Sequence, residues 1–357
     1  MTTPSTSPIS LSYVTSLRGV KPRTPGKAFT YALVDCRDVD AFIGLAASNP
    51  EGQFYGFIRD AVGCVNAWEE ARKREVPNVR FTNATIQDLL PRFTKDTSFL
   101  PKLDYLVCDE SERALSDADR NALFDFASTA LMPDGLISIS YQANPDVTST
   151  LRLLVRDFAP EMNVEQSMDL LQEIKKLGKL FFATHNDLAT ALDRAWANKV
   201  PDQFFDKFDK GEAVSRTFDT IISLRPRGFV YAGDGYLPHN YVELAVPKEA
   251  QDIIVGCRTN PLYETIKDFT LNRTVRHDIW CRQNATMSQN PVELFGGFSY
   301  GITQSRNTIP TRFEAEGKSI ALDSKLYTTL IDLLSMMPVS IGDALIYPEC
   351  KGFTADQ

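Results

Sequence analysis

"LVDCRDVDAF", residues Leu33–Phe42, is the stretch on which the fold turns. On its N-terminal side it completes the short apolar run "FTYALVDC" (Phe29–Cys36). On its C-terminal side Val39–Ala47 has a helical pattern, and "GQFYGFI" (Gly52–Ile58) follows an Asn49-Pro50-Glu51-Gly52 turn. Strand, turn, helix and strand in this order make a unit that ordinarily holds a nucleotide over glycines at its first turn. Here that turn carries Asp35, Arg37, Asp38 and Asp40, with no glycine between Leu33 and Ile43. The strand is expected to end near Asp35 or Cys36 and the helix to begin by Val39 or Asp40. Asp38 then stands as the helix N-cap, its carboxylate accepting free backbone N–H groups. Arg37 is expected to cross the ligand position or to pair with an acid such as Asp109.

Working outward, "NVRFTNA" (Asn78–Ala84), "LDYLVCD" (Leu103–Asp109) and "GLISISY" (Gly135–Tyr141) read as further strands. Helical patterns cover Ala61–Glu75 and Ala118–Leu131, and Ser116–Asp119 has the form of a capping box. "MPDGL" (Met132–Leu136) reads as a turn feeding the fifth strand. Alternating strands and helices predict an α/β fold, a parallel sheet with helices on both faces. After Tyr141 the texture becomes mainly helical, from about 148 to 224. "GFVYAGD" (Gly228–Asp234) and "RHDIWCRQ" (Arg276–Gln283) are two more strands, separated by the helical "NPLYETIKDFTLNRTV". "MSQNPVELFGGFSYGITQSRNTIP" reads as loop, and the end of the chain as a hairpin around Glu316-Gly317 followed by two helices. The division is a mobile N-terminal tail (1–26), an α/β core (27–147), a helical region that also supplies the last strands (148–285), and a loop with a small C-terminal domain (286–357).

The 357 residues are 43% hydrophobic and 24% charged, with a net charge of −8, which leaves no electrostatic footprint for nucleic acid. None of the six cysteines lies in a Cys-x-x-Cys spacing, and the three histidines are far apart. Those features argue for a reducing compartment and against a metal site. "MTTPSTSPIS" lacks a basic start and an apolar core, so it is no signal peptide. No apolar run approaches the ~20 residues that span a bilayer. The expectation is a cytoplasmic protein without membrane insertion.

Several stretches sharpen the fold assignment. "NVRFTNATIQDL", "LMPDGLISISYQANP", "YETIKDFTLNRTVRHDIWCR" and "FEAEGKSIALDSKLYTTLIDLLSMMP" resemble a bacterial group of class I methyltransferases that bind S-adenosylmethionine (SAM). That group joins a Rossmann-like core to a methyltransferase regulatory domain and a small α+β, winged-helix-like C-terminal domain. Its best understood members are lysine methyltransferases acting on outer-membrane proteins. The resemblance runs from about residue 12 to residue 346.

The cofactor motifs depart from the group's pattern. The resemblance places the glycine-rich turn at Leu33, Asp35, Cys36, Arg37, Val39 and Asp40, the ribose-gripping carboxylate at Ile58, beside Arg59, and the adenine-side acid at Thr85. Asp60 falls two residues late, and Asp109 borders the pocket. Tyr141 and Pro145 remain of the pattern after the fifth strand, with Gln142, Asn144, Asp146 and Val147 differing. The group's N-terminal lid has no counterpart in "SPISLSYVTSLRG". A charge-assisted hydrogen bond contributes about 1.5–3 kcal/mol. Losing two carboxylates and the open turn therefore removes roughly three or more decades of affinity. No cofactor is expected, with SAM as the ligand if Asp35, Asp38 or Asp60 restores the site in a shifted geometry.

No catalytic residue stands out. Asp109 and Glu110 form either a carboxylate pair that draws in a lysine ammonium or a solvated loop. Tyr141 lines a substrate channel or covers the core edge. Asp268, Asn272, Arg273 and Arg276 resemble the group's polar residues at a domain junction. The leading expectation is a non-catalytic regulatory or scaffolding protein. Its partner would be an active methyltransferase paralogue or a protein substrate, with a contact surface such as "QFFDKFDK". The rivals are an active, divergent SAM-dependent protein-lysine methyltransferase and a binding module for another metabolite.

Overall fold

In the computed structural model the described residues are 6–24, 26–96, 98–109, 117–143, 164–176, 181–184, 186–197, 216–273, 275–315 and 318–353. The apolar runs become β1 (Phe29–Val34), β2 (Gly52–Ile58), β3 (Val79–Asn83), β4 (Leu103–Asp109), β5 (Leu131–Gln142), β6 (Phe229–Asp234) and β7 (Val275–Arg282). They form one seven-stranded sheet in the order β3-β2-β1-β4-β5-β7-β6. The first five strands are parallel, and β7 runs antiparallel to both β5 and β6. The order reverses direction at β1, so the crevice beside the C-terminal ends of β1 and β4 is where such a sheet places a ligand.

Both faces are covered. Helices α1 (Pro8–Ser16), α2 (Val39–Ala47) and α3 (Ala61–Lys73) pack on one face, where Leu11, Phe42 and Ala67 meet Tyr31 and Phe54 from the strands. Helices α4 (Ile86–Lys95) and α5 (Asp117–Ala130) pack on the other, with Leu89, Phe124 and Phe126 against Ala32, Leu106 and Ile137. A third core lies outside the sheet. It joins α6 (Val164–Lys176), α7 (Phe181–Thr184), α8 (Asn186–Ala197), α10 (Val242–Ala245), α11 (Gln251–Gly256) and α12 (Tyr263–Thr270) around Leu171, Leu192, Ile254 and Phe269. Helix α9 (Arg216–Leu224) instead gives Ile221 and Leu224 to the sheet. Residues 203–210, offered above as a contact surface, lie outside the described residues.

Three expectations are corrected. The N-terminal segment is not a mobile tail over residues 8–24. Ser7 caps α1, Leu11 and Val14 are buried, and the Ser12 hydroxyl lies 2.8 Å from the Tyr105 hydroxyl. A nine-residue helix is marginal alone and forms here because its apolar face is covered. "MPDG" is not a turn before β5 but an irregularity within it. The partner register jumps between Leu103 and Tyr105, and a Cβ at Gly135 would fall 3.0 Å from the Leu103 carbonyl oxygen. The stretch read as loop holds α13 (Pro291–Phe295), capped by Asn290, and β8 (Ser299–Tyr300). Farther on, β9 (Arg312–Ala315) and β10 (Lys318–Ala321) form the expected hairpin. It is followed by α14 (Lys325–Met336), β11 (Val339–Ser340), which pairs with β8, and α15 (Ile341–Ala344).

Candidate functional site

The β1–α2 turn sits where the sheet reverses its order. Leu33 pairs with Gly56 on one side and Val107 on the other, which puts Asp35 at the C-terminal edge between β2 and β4. Asp35 turns the chain with a φ of 56°, the left-handed conformation that a glycine adopts without cost. Aspartate is among the few side chains that tolerate it. Its carboxylate accepts a hydrogen bond from Arg37 Nη2 at 2.9 Å and lies 3.1 Å from Arg59 Nε. Cys36 is buried, its N–H donates to the Phe57 carbonyl at 2.8 Å, and burial pushes the thiol up to about 12. Asp38 caps α2, accepting from the Ala41 N–H at 2.8 Å.

The neighbouring strand ends are also committed to protein contacts. Ile58, where the resemblance places the ribose contact, is buried, and Arg59 follows it. Asp60 caps α3, accepting from the N–H groups of Val62 at 3.3 Å and Gly63 at 2.5 Å. Gly63 permits this contact, since a Cβ there would fall 2.8 Å from Asp60 Oδ2. The Asn83 side chain donates to the Ile58 and Arg59 carbonyls at 3.0 and 2.8 Å. Thr85 opens α4, its N–H and hydroxyl both donating to Asp88 Oδ2, at 2.8 and 2.7 Å.

A cleft of about 1140 Å³ opens beside the turn, between α2 and α3. Leu33, Asp35, Arg37, Asp38 and Gly63 line it, whereas Ile58, Arg59 and Thr85 do not. Arg37 lines the cleft and pairs with a nearby acid, as expected, and that acid is Asp35. Asp109 itself ends β4 opposite Ser140, and its side chain, Glu110 and residues 144–147 lie outside the described residues. Arg59 Nη2 is buried without a hydrogen-bond acceptor, while Nε, ion-paired with Asp35 at 3.1 Å, is not aligned to donate to it.

SAM needs a turn that admits its methionine portion, a carboxylate free to grip two ribose hydroxyls and an acceptor for the adenine amino group. At these positions Asp35 is engaged by two arginines, Ile58 has no polar atom, Asp60 is held by a helix start and Thr85 is bound to Asp88. At the positions that the resemblance assigns to SAM, each polar side chain is thus already engaged by the protein, and Ile58 offers none.

Tyr141 is buried rather than lining a channel. Its hydroxyl donates to Asp278 Oδ2 at 2.5 Å. This contact belongs to an ion network at the far end of the same sheet edge, where Tyr141 pairs with Arg276. Arg276 is fully buried and donates to Asp278 at 2.8 Å, Asp268 at 2.7 Å and Glu264 at 3.0 Å. Lys267 lies 2.8 Å from Glu264, and Arg273 pairs with Asp234. Burial, reinforced by Asp234 and Asp268 against the pull of Arg276, pushes the Asp278 carboxyl up to about 6. Burial also opposes ionisation of Asp234 and Glu264. Arg273 outweighs it at Asp234, held well below the usual carboxylate range, and Lys267 with Arg276 outweighs it at Glu264, lowered to about 2.

Asp268, Arg273 and Arg276 thus meet at a junction of sheet and helices; Glu264, Lys267, Asp234 and Asp278 were not anticipated. A signal existed. Arg276 and Asp278 share one face of β7, and Glu264, Lys267 and Asp268 share one face of α12 by their i, i+3, i+4 spacing.

Residues 204–282 match the model of a family described as a predicted methyltransferase regulatory domain. The structure of PKMT2 from Rickettsia typhi in complex with AdoHcy is similar over 98% of this chain and 71% of that one, with a TM-score of 0.58 and 17% identity. A second structure of PKMT2 from that organism gives a TM-score of 0.59 and 18% identity over 97% and 71% of the two chains. An uncharacterized protein of Synechocystis sp. is 21% identical over 98% of this chain and 69% of its own length. Among the described residues no helix is long and apolar enough to cross a membrane.

Proposed function

We propose that this chain, a class I methyltransferase fold carrying a methyltransferase regulatory domain, is a non-catalytic regulatory or scaffolding partner of an active protein methyltransferase. The observation that carries the reading is the Asp35 carboxylate, held between Arg37 and Arg59 at the turn where SAM would lie. The folded architecture needs its apolar strands and helices whether or not a ligand binds, so the core persists while the turn is free to take up charge. A contact role has further support at α3. Val62, Val65 and Trp68 are 68%, 57% and 44% exposed and, three residues apart, form one apolar stripe beside the altered site. The partner would be a methyltransferase paralogue or a protein that such an enzyme modifies.

The cleft beside Asp35, with the unsatisfied Nη2 group of Arg59 close by, favours a second reading, an active and divergent SAM-dependent protein-lysine methyltransferase. Titration with SAM and with AdoHcy separates the two. The expected result is no saturable heat and no rise in Tm up to about 1 mM ligand, a ceiling of about 4 kcal/mol of binding. A ligand at about 100 times its Kd would add about 2.7 kcal/mol of stability. Arg37→Gly is expected to leave the titration flat, because Ile58 and Thr85 still lack the required groups. A clear rise in Tm with the unaltered chain would sink the non-catalytic reading and establish the divergent enzyme.

A further inference from the structure

We infer that the regulatory domain carries a ligand site of its own, for a small multivalent oxyanion of phosphate or polycarboxylate chemistry. The site is a second cleft, of about 850 Å³, at the outer edge of the sheet where β6 meets the helices. Its lining residues all fall within 204–282 except Arg18, which follows α1.

Three arginines stand on this cleft: Arg18, Arg225 and Arg258. They come from three separate parts of the chain and all are exposed. None of the three guanidinium groups has a carboxylate or carbonyl acceptor among the described residues. Arg18 lies over the Tyr231 ring, 6.0 Å from its centroid. The pattern differs from the rest of this domain, whose buried cations Lys267, Arg273 and Arg276 are all paired. Of the two acids on the cleft, Glu264 is already neutralised by Lys267 and Arg276, which leaves Glu243 alone against three cations.

The floor is the buried indole of Trp280. Trp280 lines the cleft, is 1% exposed, and its Nε1–H has no hydrogen-bond partner. A buried donor left without an acceptor is costly, and native structures leave few of them. Guanidinium and indole N–H groups donate only. A ligand that bridges the three guanidinium groups must therefore be rich in acceptors and negatively charged, which describes phosphate esters and polycarboxylates. Tyr231 stands edge-on to Trp280 at 5.5 Å, and Tyr241 and Tyr263 also border the cleft, so the wall offers flat faces to a ring attached to the anion.

The site is far in the sheet order from the β1 turn, and the inference stands whether or not SAM binds. The full chain is titrated with AMP, pyrophosphate and citrate at constant ionic strength, by calorimetry and by tryptophan fluorescence. At least one is expected to bind saturably and to weaken as sodium chloride rises. The exposed pair of substitutions Arg225→Gln and Arg258→Gln should weaken that binding about tenfold or more, with the circular dichroism spectrum unchanged. Arg80→Gln, on the opposite edge strand, should leave it unaltered. Preference for AMP over pyrophosphate would assign the tyrosines a stacking role, and preference for citrate would assign the site to carboxylates. Absence of saturable binding by all three probes, or equal affinity in the double variant, would overturn the inference.

Discussion

Asp35 carries a positive φ of 56° where glycine is the usual occupant. The conformation costs an L-residue about 1–2 kcal/mol, and aspartate offsets part of that by local polar contact. Here the offset comes from Arg37 and Arg59, and only a small part of the Asp35 side chain remains exposed to solvent. Both Asp35→Ala and Asp35→Gly delete the ion pairs, so the difference between them isolates the backbone. Glycine regains the turn but widens the unfolded ensemble, and alanine does the reverse. Urea unfolding is expected to find Asp35→Gly more stable than Asp35→Ala by about 0.5–1 kcal/mol. Equal values would mean the turn relaxes away from the left-handed region once the carboxylate is gone. At this scale the sequence was legible where the partner is close along the chain. Asp38 could be read as a cap because its acceptors and donors lie within three residues. The Arg59 contact could not, since it depends on the register that sets β2 beside β1.

At the scale of elements, the pairing of β7 with α12 concentrates four carboxylates, Asp234, Glu264, Asp268 and Asp278, around three permanent cations, Lys267, Arg273 and Arg276. One acid is in excess, and Asp278 is the one whose carboxyl is raised, from 3.8 to about 6. Its folded form holds a proton more tightly than its unfolded form. Its contribution is therefore full below about pH 4 and is lost as pH rises through 6. Glu264 acts in the opposite sense, its contribution present above 4.5 and lost as pH falls toward 2. The window from about pH 4.5 to 6 thus belongs to Asp278 among these acids. Over that window Asp278→Asn should gain about 2 kcal/mol of unfolding free energy relative to the unaltered chain. Parallel pH profiles for the two proteins would show that the excess proton resides elsewhere in the network. The elements themselves were legible where periodicity is clean. The expected bounds of Gly52–Ile58, Leu103–Asp109 and Val39–Ala47 coincide with β2, β4 and α2. Helix α4 escaped notice because Pro91 interrupts its pattern. The bulge in β5 was mistaken for a turn because Pro133, Asp134 and Gly135 together carry turn chemistry whatever the sheet does with them.

Over the whole molecule, the nine-residue N-terminal helix reaches two distant parts of the chain. Its Leu11 and Val14 enter the core that covers one face of the sheet, and its Ser12 touches Tyr105 of β4. From its other side Tyr13 places its ring 6.1, 5.3 and 5.8 Å from those of Phe295, Phe298 and Tyr300 in the C-terminal part of the chain. A short helix of this kind links two regions that the sequence presented as separate, and no local pattern in "SPISLSYVTSLRG" could disclose it, because the contacts span nearly 300 residues. Two substitutions distinguish its two faces. Leu11→Ala removes a side chain that is 1% exposed and should cost about 2–5 kcal/mol of global stability, read from urea unfolding. Tyr13→Ala breaks three edge contacts, each worth about 0.5–1.5 kcal/mol, without opening the sheet core. It should lower the protection of amides in β8, β11 and α14 against hydrogen exchange while leaving β1 and β4 as protected as before. Loss of protection throughout the sheet in Tyr13→Ala would mean that the C-terminal part folds as one cooperative unit with it. An unchanged stability in Leu11→Ala would return residues 8–16 to the mobile tail that their composition first suggested.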